Sequence, residues 1–331
     1  MRAQQLQQPG QVEDGPLVPV EGPDPEPGPG ELVVEVAACG VCRTDLQIAE
    51  GDLAARSLPI IPGHQAVGRV VSIGEGVTNW VIGDRAGIGW LARTCGSCRY
   101  CVSGHENLCE AAAFTGWDRD GGYADRTRVY AEFALRLPDG PTDVELAPLL
   151  CGGVIGYRAL KVSGIQPGGR LGLFGFGASA SLAIQVADYW ECEVFVATRS
   201  PSEQRRASDL GAIWAGGYDE PIPEPLHAAV TFAPVGDVVV AALAAIDRGG
   251  VVAINAIHLD RIPEFDYDLL WGERQLRSVA NYTRQDAHEF IALAGEIPIK
   301  TTIQTYSLEN ANAALTDLKA GASTGTAVLV A

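Results

Sequence analysis

Four of the eight cysteines in this 331-residue chain fall within fifteen consecutive positions, with the spacing Cys95-x2-Cys98-x2-Cys101-x7-Cys109. Such a run is typical either of a disulfide cluster or of a metal site, and the two need different redox compartments. The N-terminal residues 1–8 contain no apolar core, so we expect no signal peptide and a cytoplasmic location. In a reducing cytosol the spacing predicts a closed, four-thiolate structural zinc site.

A second set of sulfur and nitrogen donors is scattered along the chain. Cys42 precedes Arg43-Thr44-Asp45, His64 closes the segment Pro62-Gly63-His64, and Cys151 follows far downstream. A catalytic zinc takes three such ligands and keeps a fourth position open. Each residue alone is more often an inert buried thiol or a packed imidazole, so the prediction depends on the whole set. Thr44 and Asp45 could supply a proton path and a group that orients the histidine.

Composition narrows the class of protein. Apolar residues make up 47% of the chain and charged residues 20%, and the length suffices for two globular domains. No window approaches the ~20 uninterrupted apolar residues of a membrane helix, so no membrane partner is expected. The formal net charge of −17 would repel nucleic acid and anionic lipid, which argues against both as partners.

The N-terminal half of the chain has the pattern of β structure. The proline- and glycine-rich run 23–30 cannot form a helix or a central strand, which predicts a turn-rich approach. Strands are expected at 31–37, at 67–73, after Gly83 and over 123–137. Short strands with glycine turns favour an all-β domain.

From Ala147 onward the pattern alternates between helix and strand. A helix is predicted over 147–162 and a strand over 170–174, which runs directly into Gly175-Phe176-Gly177-Ala178-Ser179-Ala180. A helical run over 182–190 and a strand over 193–197 follow. Strand, glycine turn, helix and strand together indicate a dinucleotide-binding unit, with the pyrophosphate at the helix N-terminus. Later segments continue the alternation, which predicts a parallel sheet with helices on both faces.

Together these motifs resemble those of the zinc-dependent alcohol dehydrogenases of the medium-chain dehydrogenase/reductase superfamily. The resemblance implies the fold class α/β plus β: a GroES-like β-barrel catalytic domain with a zinc-binding lobe, and a Rossmann domain with a doubly wound parallel sheet. The implied limits are 1–150 for the catalytic domain with its lobe at 95–109, 151–282 for the Rossmann domain, and 283–331 for a return segment that completes the catalytic domain.

The resemblance also implies roles for individual residues. Cys42, His64 and Cys151 would hold a zinc ion that acts as a Lewis acid on the alcohol or carbonyl oxygen during hydride transfer. Asp45 would orient the histidine, and Thr44 would begin the proton relay. The expected cofactor contacts are Arg43 at the pyrophosphate and Gly175, Gly177, Ala178 and Ala180 in the glycine loop. An apolar wall around the substrate is expected from Trp90, Leu91 and Trp117, with ordinary packing as the alternative.

Two positions depart from the family pattern. Gln65 follows His64 where many relatives have glutamate, and Gln47 stands where the family often has a histidine that passes the proton to solvent. Cofactor choice depends on Thr198-Arg199-Ser200 at a strand end. Two hydroxyls and a guanidinium favour the 2′-phosphate of NADP, although NAD stays possible.

The sequence therefore predicts a zinc alcohol dehydrogenase or aldehyde reductase with two zinc ions per chain. Its expected partners are a small alcohol or aldehyde and further copies of itself, as a homodimer or homotetramer. Two alternatives stay open: a quinone or enoyl reductase of the same superfamily, and a catalytically weakened paralogue that binds zinc and cofactor.

Overall fold

The computed structural model describes residues 1–323 and 325–331. The strands of the described residues are β1 Arg2–Leu6, β2 Leu17–Glu21, β3 Glu31–Gly40, β4 Ala66–Ile73, β5 Arg85–Ile88, β6 Leu91–Arg93, β7 Ala113–Phe114, β8 Arg126–Tyr130, β9 Ala134–Arg136, β10 Arg170–Phe174, β11 Glu193–Ala197, β12 Trp214–Gly216, β13 Leu226–Thr231, β14 Ile246–Ile254, β15 Gln275–Ser278, β16 Ile303–Ser307 and β17 Thr326–Val330. The α-helices are α1 Arg43–Glu50, α2 Arg99–Val102, α3 Asp143–Leu146, α4 Gly152–Ser163, α5 Ala178–Tyr189, α6 Pro201–Asp209, α7 Gly236–Ala245, α8 Tyr267–Leu270, α9 Arg284–Glu296 and α10 Ala311–Ala320. Short 3₁₀ segments lie at Val12–Asp14, Glu106–Leu108, Ala147–Leu150 and Leu308–Asn310.

The chain divides into two units. The first comprises Met1–Cys151 and Thr283–Ala331, and the second comprises Gly152–Tyr282. The domain limits given above from the resemblance stay a prediction.

The first unit is built on a seven-stranded sheet with the order β16-β17-β3-β4-β5-β9, in which β8 also pairs with β3. Strand β3 is long and apolar, and most of its side chains are buried in the core of this unit. The C-terminal strand β17 pairs antiparallel with β3, Leu329 opposite Cys39. The return segment thus completes the sheet that the N-terminal residues begin.

The second unit contains a six-stranded sheet with the order β12-β11-β10-β13-β14-β15, in which every pair is parallel. Numbered along the chain, this order is 3-2-1-4-5-6, that of the doubly wound dinucleotide-binding sheets. The strand order reverses between β10 and β13, and ligands of such sheets bind at the carboxyl ends of the strands at this point. The predicted fold class is confirmed.

Several details differ from the sequence-based expectation. Residues 1–30 also contain an antiparallel pair, β1 and β2, which was not predicted; Pro19 lies opposite Gln4 in this two-stranded ribbon. The strand predicted over 123–137 is two strands, β8 and β9. The helix predicted over 147–162 is interrupted at Cys151, whose backbone is not helical (φ −128°, ψ −74°). The sequence analysis did not predict the helices α1, α2, α3, α6, α8 and α9.

Within the described residues, we find no helix with the length and apolar character needed to cross a membrane.

Candidate active site and metal centres

The first cluster of possible metal ligands is assembled around the start of α1. Cys42 is the N-cap of this helix, and its backbone N–H donates to the carboxylate of Asp45 at 2.9 Å. The other oxygen of Asp45 accepts from the Gly63 N–H at 3.2 Å and lies 3.1 Å from His64 Nδ1. One buried carboxylate thus caps a helix, holds the Gly63 loop and orients an imidazole ring.

Gly63 gives His64 its position. Its φ of 97° is in the left-handed region, and a Cβ at this position would clash with the ring of Tyr123. Glycine is therefore required immediately before the histidine. His64 is almost completely buried, and its Nε2 lies 3.2 Å from Cys42 Sγ.

Cys151 completes this cluster. It lies at the break between the 3₁₀ segment Ala147–Leu150 and α4. The Sγ atoms of Cys42 and Cys151 and a ring nitrogen of His64 all lie within 4.8 Å of one another. Two sulfurs and one nitrogen at this separation fit a tetrahedral zinc ion with one position left over.

The electrostatics of this cluster favour ligand chemistry. A hydrogen bond from Cys151, opposed by burial and assisted by the charge of His64, lowers the pKa of the Cys42 thiol to about 5. The same hydrogen bond, together with burial, raises the pKa of Cys151. Burial disfavours the imidazolium form of His64, but Cys42 and Asp45 outweigh it and raise the pKa of His64. Ligation requires deprotonated thiols, so a bound dication would replace the protons of Cys42 and Cys151.

An aromatic wall stands beside His64. The Trp90 ring meets the His64 ring edge-on, with centroids 4.8 Å apart. Phe114 and Trp117 stack against Trp90 at 5.1 and 5.9 Å. Leu91, predicted as part of the wall, is buried, so it offers little surface. Phe114 was missed by the sequence analysis, although its place in the aromatic run Phe114-Thr115-Gly116-Trp117 is a usable signal.

The second cluster is the four-cysteine lobe. The sulfurs of Cys95, Cys98, Cys101 and Cys109 lie within 4.8 Å of one another, and their exposure ranges from exposed at Cys95 to buried at Cys109. Backbone N–H groups of Ser97 and Cys98 lower the pKa of Cys95 to about 6. Burial and a hydrogen bond with Cys98 raise the pKa of Cys101 to about 11. Four sulfurs without a histidine fit a closed zinc site.

A partly buried ion pair connects the lobe to residues 283–331. Glu106 lies inside the lobe, and both its carboxylate oxygens accept from the guanidinium of Arg284, at 2.8 to 3.0 Å. The backbone N–H of Arg284 donates a further hydrogen bond to Glu106 Oε1 at 2.8 Å. The sequence analysis did not identify this pair, because its members are far apart along the chain.

The glycine loop of the second unit suits a dinucleotide. Gly175 has φ 89°, and a Cβ there would lie 2.9 Å from the backbone nitrogen of Ala233, so glycine is required. Gly177 is the N-cap of α5, and a Cβ there would meet no described atom within 4 Å. Ala178 begins the helix and Ala180 is buried in it. The space beside Gly177 at the helix N-terminus is therefore open, as a pyrophosphate-binding turn requires.

The end of β11 contains a carboxylate that the sequence interpretation did not consider. Thr198 is buried, and its hydroxyl donates to Glu203 at 2.6 Å. Ser200 caps α6 by accepting from the Glu203 N–H. Arg199 is exposed. The sequence Ser200-Pro201-Ser202-Glu203 has the form of a capping box, which would have predicted the turn that carries Glu203 here.

The remaining predicted residues lie on or near α1. Arg43 begins the helix and is exposed, Thr44 is buried, and Gln47 is half-buried. Gln65 is buried, and its Nε2 has no hydrogen-bond partner within residues 1–323 and 325–331.

Comparison with known proteins gives alcohol dehydrogenases at the level of both sequence and structure. Residues 28–139 match the model of the "Alcohol dehydrogenase GroES-like domain". The chain is 49% identical to "Probable alcohol dehydrogenase AdhA" of Mycobacterium tuberculosis (strain CDC 1551 / Oshkosh), over 100% of this chain and 97% of the relative. It is 36% identical to an alcohol dehydrogenase of Geobacillus stearothermophilus, over 95% and 96% of the two chains. A cobalt- and zinc-bound thermostable alcohol dehydrogenase from Pyrobaculum aerophilum superposes with a TM-score of 0.89 at 26% identity, covering 100% and 99%.

Proposed function

The chain belongs to the zinc-type alcohol dehydrogenases of the medium-chain dehydrogenase/reductase superfamily, and we propose that Cys42, His64 and Cys151 form its catalytic metal site. It is an oxidoreductase that transfers hydride between an alcohol or aldehyde and a nicotinamide cofactor. The observation that supports the site is the convergence of two sulfurs and one ring nitrogen within 4.8 Å, next to an aromatic wall.

When bound, zinc supplies a Lewis acid for the alcohol or carbonyl oxygen, and the nicotinamide supplies or accepts the hydride. Cys42, His64 and Cys151 would hold the metal. Asp45 keeps the His64 ring in place through Nδ1, so that Nε2 stays free for ligation. The buried hydroxyl of Thr44 would act as a relay, accepting the alcohol proton as it gives its own proton onward towards solvent. The apolar faces of Trp90 and Trp117 exclude water from the reacting oxygen.

The assignment is tested with zinc-loaded protein and a panel of primary and secondary alcohols and the corresponding aldehydes, each with NAD(H) and NADP(H). We expect turnover of a primary alcohol and its aldehyde, together with two zinc ions per chain. A quinone or enoyl reductase would reduce a quinone or an enoyl compound but not the aldehydes of this panel. A weakened paralogue, marked by Gln47 and Gln65, would bind metal and cofactor without turnover.

We propose NADP as the preferred cofactor. Arg199 is exposed at the end of β11 and Ser200 follows it, so both can face a 2′-phosphate. Glu203 opposes this preference, since its carboxylate lies 2.6 Å from Thr198 Oγ1 and occupies that hydroxyl. Arg199 therefore carries most of the proposed selectivity.

Arg199→Ala tests this preference. Loss of a charge-assisted hydrogen bond, worth about 1.5–3 kcal/mol, predicts roughly ten- to a hundredfold weaker NADP binding with little change for NAD. Glu203→Gln should tighten NADP, because a repelling charge is removed. The matched control is Arg205→Ala, because Arg205 is an exposed arginine nearby on α6. Equal losses for NAD and NADP in Arg199→Ala, or NAD preference in the parent, would contradict the proposal.

We further propose a cytoplasmic homodimer or homotetramer. Strand β15 lies at the edge of the parallel sheet, and Tyr267 and Trp271 are about two-thirds exposed a few residues before it. An open edge beside exposed aromatic side chains suits pairing between copies. Light scattering of the parent and of Trp271→Glu tests this, since a monomeric parent contradicts it.

A further inference from the structure

Arg56 joins two loops beside the proposed active site. It lies in the loop between α1 and β4, and its guanidinium carbon is 3.8 Å from the ring centroid of Trp117 and 5.6 Å from that of Phe114. Its Nη1 lies 3.4 Å from both carboxylate oxygens of Asp118. The indole N–H of Trp117 donates to the Ala54 carbonyl at 3.0 Å, which gives the two loops a second connection.

The stack that Arg56 covers continues inward to the proposed metal site. Trp117 and Phe114 both stack on Trp90, and Trp90 contacts His64 edge-on. The order from solvent to the imidazole is thus a guanidinium, two aromatic rings, Trp90 and His64. A shift of Trp117 would change the space beside Trp90 without moving any of the proposed ligands.

The stacking contact is the stronger of the two interactions that Arg56 makes. The Arg56 side chain is 47% exposed, so its ion pair with Asp118 is screened and weak. The guanidinium lies much closer to the Trp117 ring than the ~6 Å limit of cation–π contacts. Removal of Arg56 should therefore free Trp117 more than it disturbs Asp118, which keeps its bond from the Phe114 N–H at 2.9 Å.

We propose that Arg56 is a specificity-determining residue, which by stacking on Trp117 keeps the aromatic wall closed against bulky alcohols and aldehydes. The inference rests on the alcohol dehydrogenase function proposed above and adds a residue to it. Arg56 touches neither the proposed ligands nor Thr44 in this arrangement, so it is a positioning residue. Its effect is expected in the choice of substrate and in KM, with metal content unchanged.

The test compares the zinc-loaded parent with Arg56→Ala and Arg56→Lys, using propan-1-ol as the small substrate and benzyl alcohol as the bulky one. In Arg56→Ala the ratio of kcat/KM for benzyl alcohol to that for propan-1-ol should rise about 3- to 30-fold, the range of a cation–π contact. The rise should come mainly from a lower KM for benzyl alcohol. Arg56→Lys, which keeps the charge but not the planar stack, should be intermediate.

Arg136→Ala is the matched control, since Arg136 lies 4.3 Å from the Trp80 ring centroid and pairs with Asp84 at 3.0 Å. It should leave the ratio unchanged. Acrylamide quenching of tryptophan fluorescence should increase in Arg56→Ala and in Arg136→Ala, which reports the freed rings independently of activity.

The outcomes separate this inference from the proposed function. An active parent whose substrate ratio does not change in Arg56→Ala, or changes equally in Arg136→Ala, would overturn the role of Arg56 alone. A zinc-loaded parent that turns over no alcohol or aldehyde would overturn the proposed function, and the role of Arg56 in substrate choice with it.

Discussion

The two cysteine clusters of the first unit offer similar donor atoms but are assembled from the chain in different ways. The lobe collects four thiols from fifteen consecutive residues, and Cys95 is exposed. The other cluster draws its ligands from three separate segments around the buried Asp45 and His64. With a dication, two thiolates and a neutral imidazole sum to zero charge, whereas four thiolates leave a net charge of −2.

This difference in charge bears on how close each cluster must lie to water. An unbalanced charge is costly away from water, and the lobe with its four thiolates includes the exposed Cys95. Backbone N–H groups help the lobe, since Cys95 Sγ accepts from the Cys98 N–H at 3.3 Å and Cys109 Sγ from the Cys95 N–H at 3.5 Å. In the function proposed above, the first cluster serves the chemistry and the four-cysteine lobe holds a loop together.

The largest effect is expected from Cys42→Ala. Loss of one thiolate should release one of two zinc ions per chain and lower kcat/KM by about a thousandfold or more, because Lewis-acid stabilisation is worth several kcal/mol. The protein should stay folded. Elemental analysis, alcohol turnover and circular dichroism check this. A variant that keeps both metals or its activity would contradict the assignment of Cys42.

Cys98→Ala should have the opposite profile. It should release the other zinc ion and lower the free energy of unfolding by several kcal/mol, because a structural zinc contributes directly to folding. Residual activity at low temperature should exceed that of Cys42→Ala. Chemical denaturation and metal analysis check this. A parent protein with one metal ion per chain would contradict the proposal that both clusters bind zinc.

A smaller effect is expected from Asp45→Asn, which keeps a side chain of the same shape but removes the charge behind His64. Removal of such a partner typically costs 10- to 100-fold in metal affinity or activity. Asp286→Asn is the matched control, because Asp286 is also fully buried and also completes a capping box, with Thr283. Competition with a chelator should separate the two variants, and equal zinc affinities would contradict the orienting role.

The smallest effect is expected from Glu31→Gln. Glu31 lies outside both cysteine clusters, so this variant shows the effect on stability of a carboxylate that is unrelated to metal binding. Burial disfavours the charged form of Glu31, but the Gly28 N–H and Arg119 outweigh it and lower its pKa. We expect a loss of about 1–2 kcal/mol at pH 7 with both metals retained. A carboxyl with a lowered pKa stabilises the fold above its unfolded pKa of ~4.3, and this stability is lost as pH falls through the folded pKa. The difference between parent and variant should therefore vanish in acid, and unfolding curves from pH 7 to pH 3 check this.

Most of the fold could be predicted from short-range sequence patterns. The glycine loop, the four-cysteine spacing and the alternation of helices and strands depend on residues close together in the chain, so the sequence sufficed for them. The predicted family and fold class are confirmed by the comparisons and the sheet topology. The prediction was wrong at Cys151, where two short-range signals compete. An apolar helical pattern leads into Gly152 and Gly153, and the helix breaks there.

The sequence by itself determined which donors and loops this chain possesses, because each motif is written in neighbouring residues. Tertiary structure decided which of them meet. The approach of Cys151 to Cys42, the stacking of Arg56 on Trp117 and the bond between Glu106 and Arg284 each join segments far apart along the chain. Such contacts depend on strand register and helix breaks, which sum many weak interactions, and a single local pattern does not encode them.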